Sequence, residues 1–126
     1  MEDVRIEGTP KTPAILLIGG TGNLEISGRS IPENSVEFYT KVLAWLDIYS
    51  AKPASKTIMD VKLEYFNTSS SKCLLDVFKK LETLQKKGFE VQIRWFYEED
   101  DEDMLEAGED YDSIIDLKFD MCVMEI

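Results

Sequence analysis

Four consecutive hydroxyl residues, in the segment Asn67-Thr68-Ser69-Ser70-Ser71-Lys72, are the most distinctive chemical feature of this 126-residue chain. An alternating apolar segment (59–65) precedes them and an amphipathic segment (73–84) follows, so they are predicted to lie where a strand gives way to a helix. The first N–H groups of a helix lack partners within it, and the helix dipole adds partial positive charge there. One hydroxyl is therefore expected to cap the helix, and a phosphate attached to one would meet backbone donors.

The residues alone leave three interpretations of this hydroxyl run open. One hydroxyl could be an ordinary N-cap, which contributes about 1 kcal/mol. One could be a catalytic nucleophile, but that role needs a base, and only Lys62 and Lys72 lie nearby in the sequence. One could accept a phosphoryl group, which adds about −1.5 to −2 charges at neutral pH and could abolish one interface or create another.

The loop Gly19-Gly20-Thr21-Gly22 is a second candidate, because it follows the apolar run 14–18 as the glycine-rich loop of a dinucleotide-binding protein would. Its spacing then departs from that motif. Glu25 stands where a third glycine is expected, and residues 24–27 alternate like a strand rather than beginning a helix. The segment is predicted to be the turn of a β-hairpin, and a small-molecule or nucleotide-binding loop is the alternative.

The acidic segment 98–113 begins with six consecutive carboxylates, Glu98 to Asp103. Carboxylate oxygens suit a hard cation, but the run lacks the glycine and the alternating ligands of a calcium loop. Such charge runs are usually solvated, and they can also face a basic partner. We therefore predict no metal site here.

The overall charge excludes several classes of function. The chain has a net charge of −11 and no histidine. Nucleic acids and anionic membranes repel such a surface. Without histidine, the usual zinc ligand sets and histidine-activated nucleophiles are unavailable. We expect no metal, no cofactor, no nucleic-acid partner and no membrane partner.

The cysteines and the hydropathy indicate a cytoplasmic protein. No apolar run approaches the roughly 20 residues that span a bilayer. The N-terminal residues lack the basic and apolar regions of a signal peptide. Cys73 and Cys122 fall within apolar patterns, so they are expected to be buried, reduced thiols.

The periodicity of apolar residues predicts the elements that position these groups. The first helix should begin after the N-cap Asn34 and run to about Ser50. The second should follow the hydroxyl run and end at Gly88 in a left-handed cap. A short helix with loose ends is expected around Met104. Strands are predicted at 14–18, 24–27, 57–66, 89–97 and 117–123.

This order predicts one α/β domain over residues 1–126, with an irregular N-terminal arm at 1–12. Strands that alternate with helices imply crossovers and a mixed sheet, here of about five strands, with parallel strands after an antiparallel hairpin. In the third strand, Met59, Val61, Leu63 and Tyr65 are predicted to face the core. Asp60, Lys62 and Glu64 form a polar face, which indicates that the helices lie mainly on one side.

The sequence resembles the SiaC family of bacterial regulatory phosphoproteins. The resemblance extends from Thr9 to Tyr97, and it is weakest in the acidic segment and the last strand. It rests on four motifs: Asn67-Thr68-Ser69-Ser70-Ser71-Lys72, Pro32-Glu33-Asn34-Ser35, Thr12-Pro13-Ala14-Ile15 and Leu74-Leu75-Asp76.

The resemblance implies a fold similar to the STAS domains of anti-sigma-factor antagonists, which place a phosphorylatable hydroxyl at a helix N-terminus. It also implies a non-catalytic adaptor that switches partners. In that family a Ser/Thr protein kinase phosphorylates the threonine of the Asn-Thr-Ser-Ser motif, and a PP2C-type phosphatase removes the phosphate. The unphosphorylated form binds and activates a diguanylate cyclase, which raises cyclic di-GMP and promotes biofilm formation.

The threonine that matches the motif is Thr68, which the resemblance makes the phosphoacceptor. Asn67, Ser69, Ser70 and Lys72 would surround it as the centre of a partner interface. Because the run has a third consecutive serine, Ser69, Ser70 and Ser71 remain alternative acceptors. A related switch could instead regulate a sigma factor or another enzyme.

Overall fold

The computed structural model describes residues 2–124. Its six strands form one sheet in the order β1-β2-β3-β4-β5-β6, and three helices connect the strands from β3 onwards. Sequence neighbours are therefore also neighbours in the sheet. The elements are β1 (Val4–Ile6), β2 (Ala14–Ile18), β3 (Asn23–Ser30), α1 (Ser35–Tyr49), β4 (Lys56–Phe66), α2 (Thr68–Lys86), β5 (Glu90–Glu98), α3 (Glu102–Ile114) and β6 (Lys118–Met124).

The sheet is mixed, as the sequence predicted. Strands β1, β2 and β3 pair antiparallel, and β3 to β6 pair parallel, so each helix is the crossover between two parallel neighbours. Right-handed crossovers that always step the same way along a sheet place their helices on one face. The N-termini of the helices follow the carboxyl ends of the parallel strands, so α1, α2 and α3 all begin at one edge of the sheet.

The strand count is six rather than about five, because the predicted irregular arm contains β1. Val4 pairs with Leu17 and Ile6 with Ile15. The side chains of Val4 and Ile6 pack against the core, whereas Arg5 between them is exposed. Three residues are too few for alternation to reveal a strand.

The core lies between the helices and one face of the sheet. On β4, Met59, Val61 and Leu63 are buried, whereas Asp60 and Lys62 lie on the opposite, partly exposed face. On that opposite face Arg94 donates two hydrogen bonds to Asp60, at 2.6 and 2.7 Å, which raises the pKa of the arginine.

The prediction that Tyr65 faces the core is wrong. Gly28 pairs with Leu63 but Arg29 pairs with Tyr65, so Glu64 is an extra residue that bulges from β4. A bulge shifts the alternation of side chains by one position. Tyr65 is consequently 54% exposed, and Phe66 packs edge-to-face on the buried Trp95.

Helix α3 is longer and better fixed than the loose helix that we predicted around Met104. The Trp95 indole donates to the Met104 carbonyl at 2.9 Å, and Tyr111 donates to the Ser71 carbonyl of α2 at 2.8 Å. Gly108 lies against the Trp95 ring so closely that an added Cβ would sit 2.5 Å from Cδ1. These contacts attach α3 to both β5 and α2.

Both cysteines are free thiols, as predicted, with Cys73 buried and Cys122 partly buried. Burial raises the pKa of the Cys73 thiol, and the negative charge of Asp76 adds to the effect. Within residues 2–124, no helix combines the length and apolarity needed to cross a membrane.

Candidate functional site

The hydroxyl run forms the first turn of α2, as predicted, but none of the four hydroxyls caps the helix. The N-cap is Asn67, whose side-chain oxygen accepts from the Ser70 N–H at 2.9 Å. The expectation that a hydroxyl would serve as the cap is therefore wrong. All four hydroxyls are available for other contacts, and the structure divides them into three classes.

Ser70 is fully buried in a network of hydroxyls. Its hydroxyl donates to the Ser30 carbonyl at 3.0 Å and accepts from the Ser30 hydroxyl at 2.8 Å. The Tyr39 hydroxyl lies 2.7 Å from the Ser30 hydroxyl and completes the chain into α1. Ser70 is consequently the least accessible of the four hydroxyls, and its roles as an alternative acceptor and as an interface residue stay predictions that this burial does not support.

Ser69 is exposed and Ser71 partly exposed, but both hydroxyls are already hydrogen-bonded. The Ser69 hydroxyl lies 2.7 Å from that of Ser35 at the start of α1, and it donates to the Asn67 side chain at 3.2 Å. The Ser71 hydroxyl donates to the Thr68 carbonyl at 2.7 Å. A kinase would have to break these contacts to modify either serine.

Thr68 is the one member of the run whose hydroxyl is exposed and makes no hydrogen bond within residues 2–124. It is the first residue of α2, where backbone N–H groups point outward. Lys72 is also exposed and lies one turn further on the same face, within reach of a group attached to Thr68.

The electrostatics of this helix end favour an anion. The first turn of α2 contains no acidic residue, so the positive end of the helix dipole is not neutralised. The hydroxyl network beneath it consists of serine and tyrosine hydroxyls, which are uncharged at neutral pH, and burial raises the pKa of Tyr39 further, to about 12. The network also offers no general base, and the chain has no histidine. Of the two lysines considered as a base, Lys62 pairs with Glu25 at 2.9 Å, which leaves Lys72 for the nucleophile interpretation.

Ser30 and Tyr39 support the hydroxyl run from β3 and α1, and the sequence does not reveal them. They lie 40 and 31 positions from Ser70, and no local pattern connects them. Ser35 does belong to the motif Pro32-Glu33-Asn34-Ser35, and the structure brings that motif against Asn67–Lys72 through the Ser35–Ser69 contact. The predicted N-cap of α1 is confirmed, since the Asn34 side chain accepts from the Glu37 N–H at 3.1 Å.

The glycine loop lies at the opposite edge of the sheet and forms the predicted hairpin turn. Gly22 has a φ of +78°, and a Cβ there would sit 2.2 Å from the Lys56 carbonyl. The Gly22 carbonyl accepts from the Ile58 N–H at 2.9 Å, which fixes the loop to β4. No helix begins after this loop, so it lacks the N–H groups that a dinucleotide-binding loop directs at a pyrophosphate.

The acidic run forms the turn before α3 and the first turn of that helix. Asp101 is the N-cap and accepts from the Met104 N–H at 3.0 Å. In residues 2–124 no group of three acidic or cysteine side chains is arranged to hold a metal ion.

Comparison with known proteins identifies the family. A family model described as SiaC family regulatory phosphoprotein matches residues 6–124. This chain belongs to the SiaC family. It is also 36% identical, over 88% of both chains, to an uncharacterised protein of Pseudomonas aeruginosa strain UCBPP-PA14.

Solved structures of SiaC share the fold throughout. SiaC of Pseudomonas aeruginosa is 32% identical, with a TM-score of 0.90 over 98% of this chain and 100% of that one. The apo-SiaC structure from the same species has 33% identity and a TM-score of 0.88 over 97% and 99% of the two chains. A third match is a crystal structure of the diguanylate cyclase SiaD in complex with its activator SiaC, at 32% identity and a TM-score of 0.91 over 97% and 100%.

Proposed function

We propose that this SiaC-family protein is a non-catalytic switch that is phosphorylated on Thr68 and binds a diguanylate cyclase when unphosphorylated. The observation that carries the proposal is the exposure of the Thr68 hydroxyl at the start of α2, while the three serines that follow it are buried or hydrogen-bonded. A SiaC relative of nearly identical fold occurs in complex with the cyclase SiaD as its activator, which supports a cyclase as the effector.

The N-terminal end of α2 would stabilise a phosphate on Thr68. The outward N–H groups at the helix start and the dipole favour an anion there. Lys72 could pair with the phosphate from the next turn. Since Asn67 already satisfies the Ser70 N–H, the phosphate would not need to displace the cap.

The same phosphate would alter the surface that a partner meets. Phosphorylation adds about −1.5 to −2 charges and three acceptor oxygens at one point of the surface. The predicted interface of Asn67, Ser69 and Lys72 surrounds that point, and Ser70 is left out because it is buried. The modified form would lose the cyclase through the bulk and desolvation cost of the phosphate.

A Ser/Thr protein kinase and a PP2C-type phosphatase would set the ratio of the two forms. We also propose that the protein acts in the cytoplasm, where its free thiols would stay reduced. The similarity to STAS domains implied by the sequence stays a prediction.

Substitution of Thr68 and of a matched neighbour tests the switch. Thr68→Ala should retain binding to the host's SiaD-type cyclase, whereas Thr68→Asp should weaken it at least about tenfold, or 1.4 kcal/mol. Ser71→Asp is the control, because it adds the same charge to the same turn, and it should change affinity less than about threefold. Isothermal titration calorimetry measures all three variants.

Intact mass of the protein purified from its host supplies the second readout. We expect a species about 80 Da heavier, the mass of one phosphoryl group, which maps to Thr68 and disappears in Thr68→Ala. A phosphoryl group on Ser71, or cyclase binding by Thr68→Asp equal to wild type, would show that the assigned acceptor or the switch is wrong.

A further inference from the structure

A groove lies between the end of β4 and the start of α3, close in the chain to Thr68. Its volume is about 200 Å³. Small-molecule sites generally occupy about 300 to 1,000 Å³, so this groove has room for one side chain rather than for a cofactor. Its wall includes Tyr65 and Phe66, the last two residues of β4, which precede Thr68 by three and two positions.

The floor of the groove is apolar and aromatic. Phe66, Met104 and Ala107 line it, and all three are at least partly buried. Tyr65 lies at its side with 54% of its surface exposed, because the bulge at Glu64 turns it away from the core. Bulges often redirect a side chain beside a functional site.

The charged residues that line the groove are all acidic, and they form its rim: Glu64, Asp101 and Asp103. Within residues 2–124, none of these three carboxylates lies within 4 Å of a lysine or arginine nitrogen. Elsewhere on the sheet, in contrast, the carboxylates of Glu25 and Asp60 are paired with Lys62 and Arg94. The groove thus combines unpaired negative charge with an exposed aromatic ring.

The positive end of the α3 dipole does not cancel this charge. A helix N-terminus is equivalent to roughly +0.5 elementary charge. The cap Asp101 and the first-turn residues Glu102 and Asp103 each carry a full negative charge. The field at the start of α3 therefore favours a cation, unlike the field at the start of α2.

We propose that this groove receives an arginine side chain from the protein that binds around Thr68, an inference that rests on the proposed function for the identity of that partner. The methylene stem would lie on Phe66 and Met104, and the guanidinium would stack on Tyr65 and pair with the carboxylates of Glu64 and Asp103. Arginine fits better than lysine, since its planar group both stacks and forms bidentate pairs.

The first test uses the whole 15N-labelled protein and N-acetyl-arginine-amide as the probe. We expect saturable chemical-shift changes at Tyr65, Phe66, Met104 and Ala107, with a dissociation constant on the order of millimolar. N-acetyl-citrulline-amide has nearly the same shape without the charge and should not saturate. Equal shifts with both probes, or arginine shifts confined to other acidic surfaces, would overturn the proposal.

Two double variants isolate the rim carboxylates. Glu64→Gln with Asp103→Asn should weaken the arginine probe at least about fivefold, or 1 kcal/mol. Glu109→Gln with Asp110→Asn removes the same charge from an exposed part of α3 outside the groove, and it should leave affinity within about twofold. Equal losses in both double variants would show that only the net charge matters, which contradicts a groove-specific site.

Binding to the cyclase links the groove to the switch. The Glu64→Gln, Asp103→Asn variant should lose at least about tenfold in cyclase affinity, and the Glu109, Asp110 control should not. The arginine titration is repeated in Thr68→Ala, where it should be unchanged. That result would support the groove even if Thr68 proved not to be phosphorylated, so the two proposals can fail separately.

Discussion

Helices α2 and α3 begin at the same edge of the sheet with the same type of cap, yet their first turns carry opposite chemistry. The side chains of Asn67 and Asp101 each accept from an N–H three residues later, at 2.9 and 3.0 Å. The first turn of α2 then has hydroxyls and no acidic residue, whereas that of α3 has Glu102 and Asp103.

The difference shows that the helix dipole alone does not determine the ligand. Both helix ends supply about half a positive charge and outward N–H groups. The first turn of α2 has no carboxylate of its own to oppose that field, so an anion such as a phosphoryl group is favoured. At α3 the negative charges of Asp101, Glu102 and Asp103 outweigh the half positive charge of the helix end, so a cation such as a guanidinium is favoured. Two adjacent surfaces of opposite preference would give a partner both a switch and a fixed point of attachment.

The largest expected effect on stability comes from comparing an aspartate introduced at position 70 with one introduced at position 68. Ser70→Asp would place a charge in a fully buried network of hydroxyls and should cost roughly 3 to 5 kcal/mol of unfolding free energy. Thr68→Asp should instead stabilise the protein by about 0.3 to 1 kcal/mol through the helix dipole. Urea denaturation of the two variants and the wild type measures both effects. Equal destabilisation would contradict the assignment of Thr68 as the exposed hydroxyl.

Because the Tyr39 hydroxyl is buried in the hydroxyl network, we expect the free energy of unfolding to fall in alkali. Burial raises the folded-state pKa of Tyr39 from 10.0 to about 12, so between these values the folded state binds more protons than the unfolded state. Stability should therefore be intact below about pH 10 and fall as pH rises towards 12, by about 2 to 3 kcal/mol. Burial raises the pKa of Tyr111 as well, which adds a loss of the same sign.

Tyr39→Phe is the control for this alkaline loss. It removes the hydrogen bond to Ser30 and should lower stability at neutral pH by about 0.5 to 1.5 kcal/mol. It should also reduce the dependence on pH above 10, which chemical denaturation across that range measures. A wild-type protein whose stability did not change between pH 10 and 12 would show that the network is solvated rather than buried.

A substitution in α3, with a smaller effect on stability, tests whether the N-terminal ends of α2 and α3 open independently. Gly108→Ala would push a Cβ into the Trp95 ring and should cost about 1 to 3 kcal/mol. Gly20→Ala is the matched control, because nothing lies within 4 Å of its added Cβ. Hydrogen exchange should show faster opening of α3 in Gly108→Ala and a smaller change at the start of α2, which the Tyr111–Ser71 hydrogen bond joins to α3. Equal loosening of both would mean that the two helix ends are one unit.

The sequence predicts most of the fold because its helices and strands are long enough for their periodicity to be read. The exceptions have local causes. Strand β1 has three residues. The bulge at Glu64 reverses the faces of Tyr65 and Phe66, and the glycine at the register shift, Gly28 with a φ of +98°, lies on the neighbouring strand β3 rather than on β4. The close approach of Gly108 to Trp95 depends on two elements that sequence patterns treat separately.

The site was only partly predictable. The hydroxyl run located it, and the spacing of Ser70 with Cys73, Leu74 and Val77 would have placed Ser70 on the buried stripe of α2. The same spacing places Thr68 with Lys72 on the outer face. The contacts of Ser30 could not be predicted from local patterns, since Ser70 lies 40 positions away on another element and Tyr39, nine positions away, lies on a third.

The most direct test of the switch compares fully phosphorylated and unphosphorylated protein, each checked by intact mass, for affinity to the host's SiaD-type cyclase in calorimetry. We predict that phosphorylation on Thr68 weakens binding at least about tenfold, or 1.4 kcal/mol, and that phosphatase treatment restores it. Equal affinity of the two forms would contradict the account.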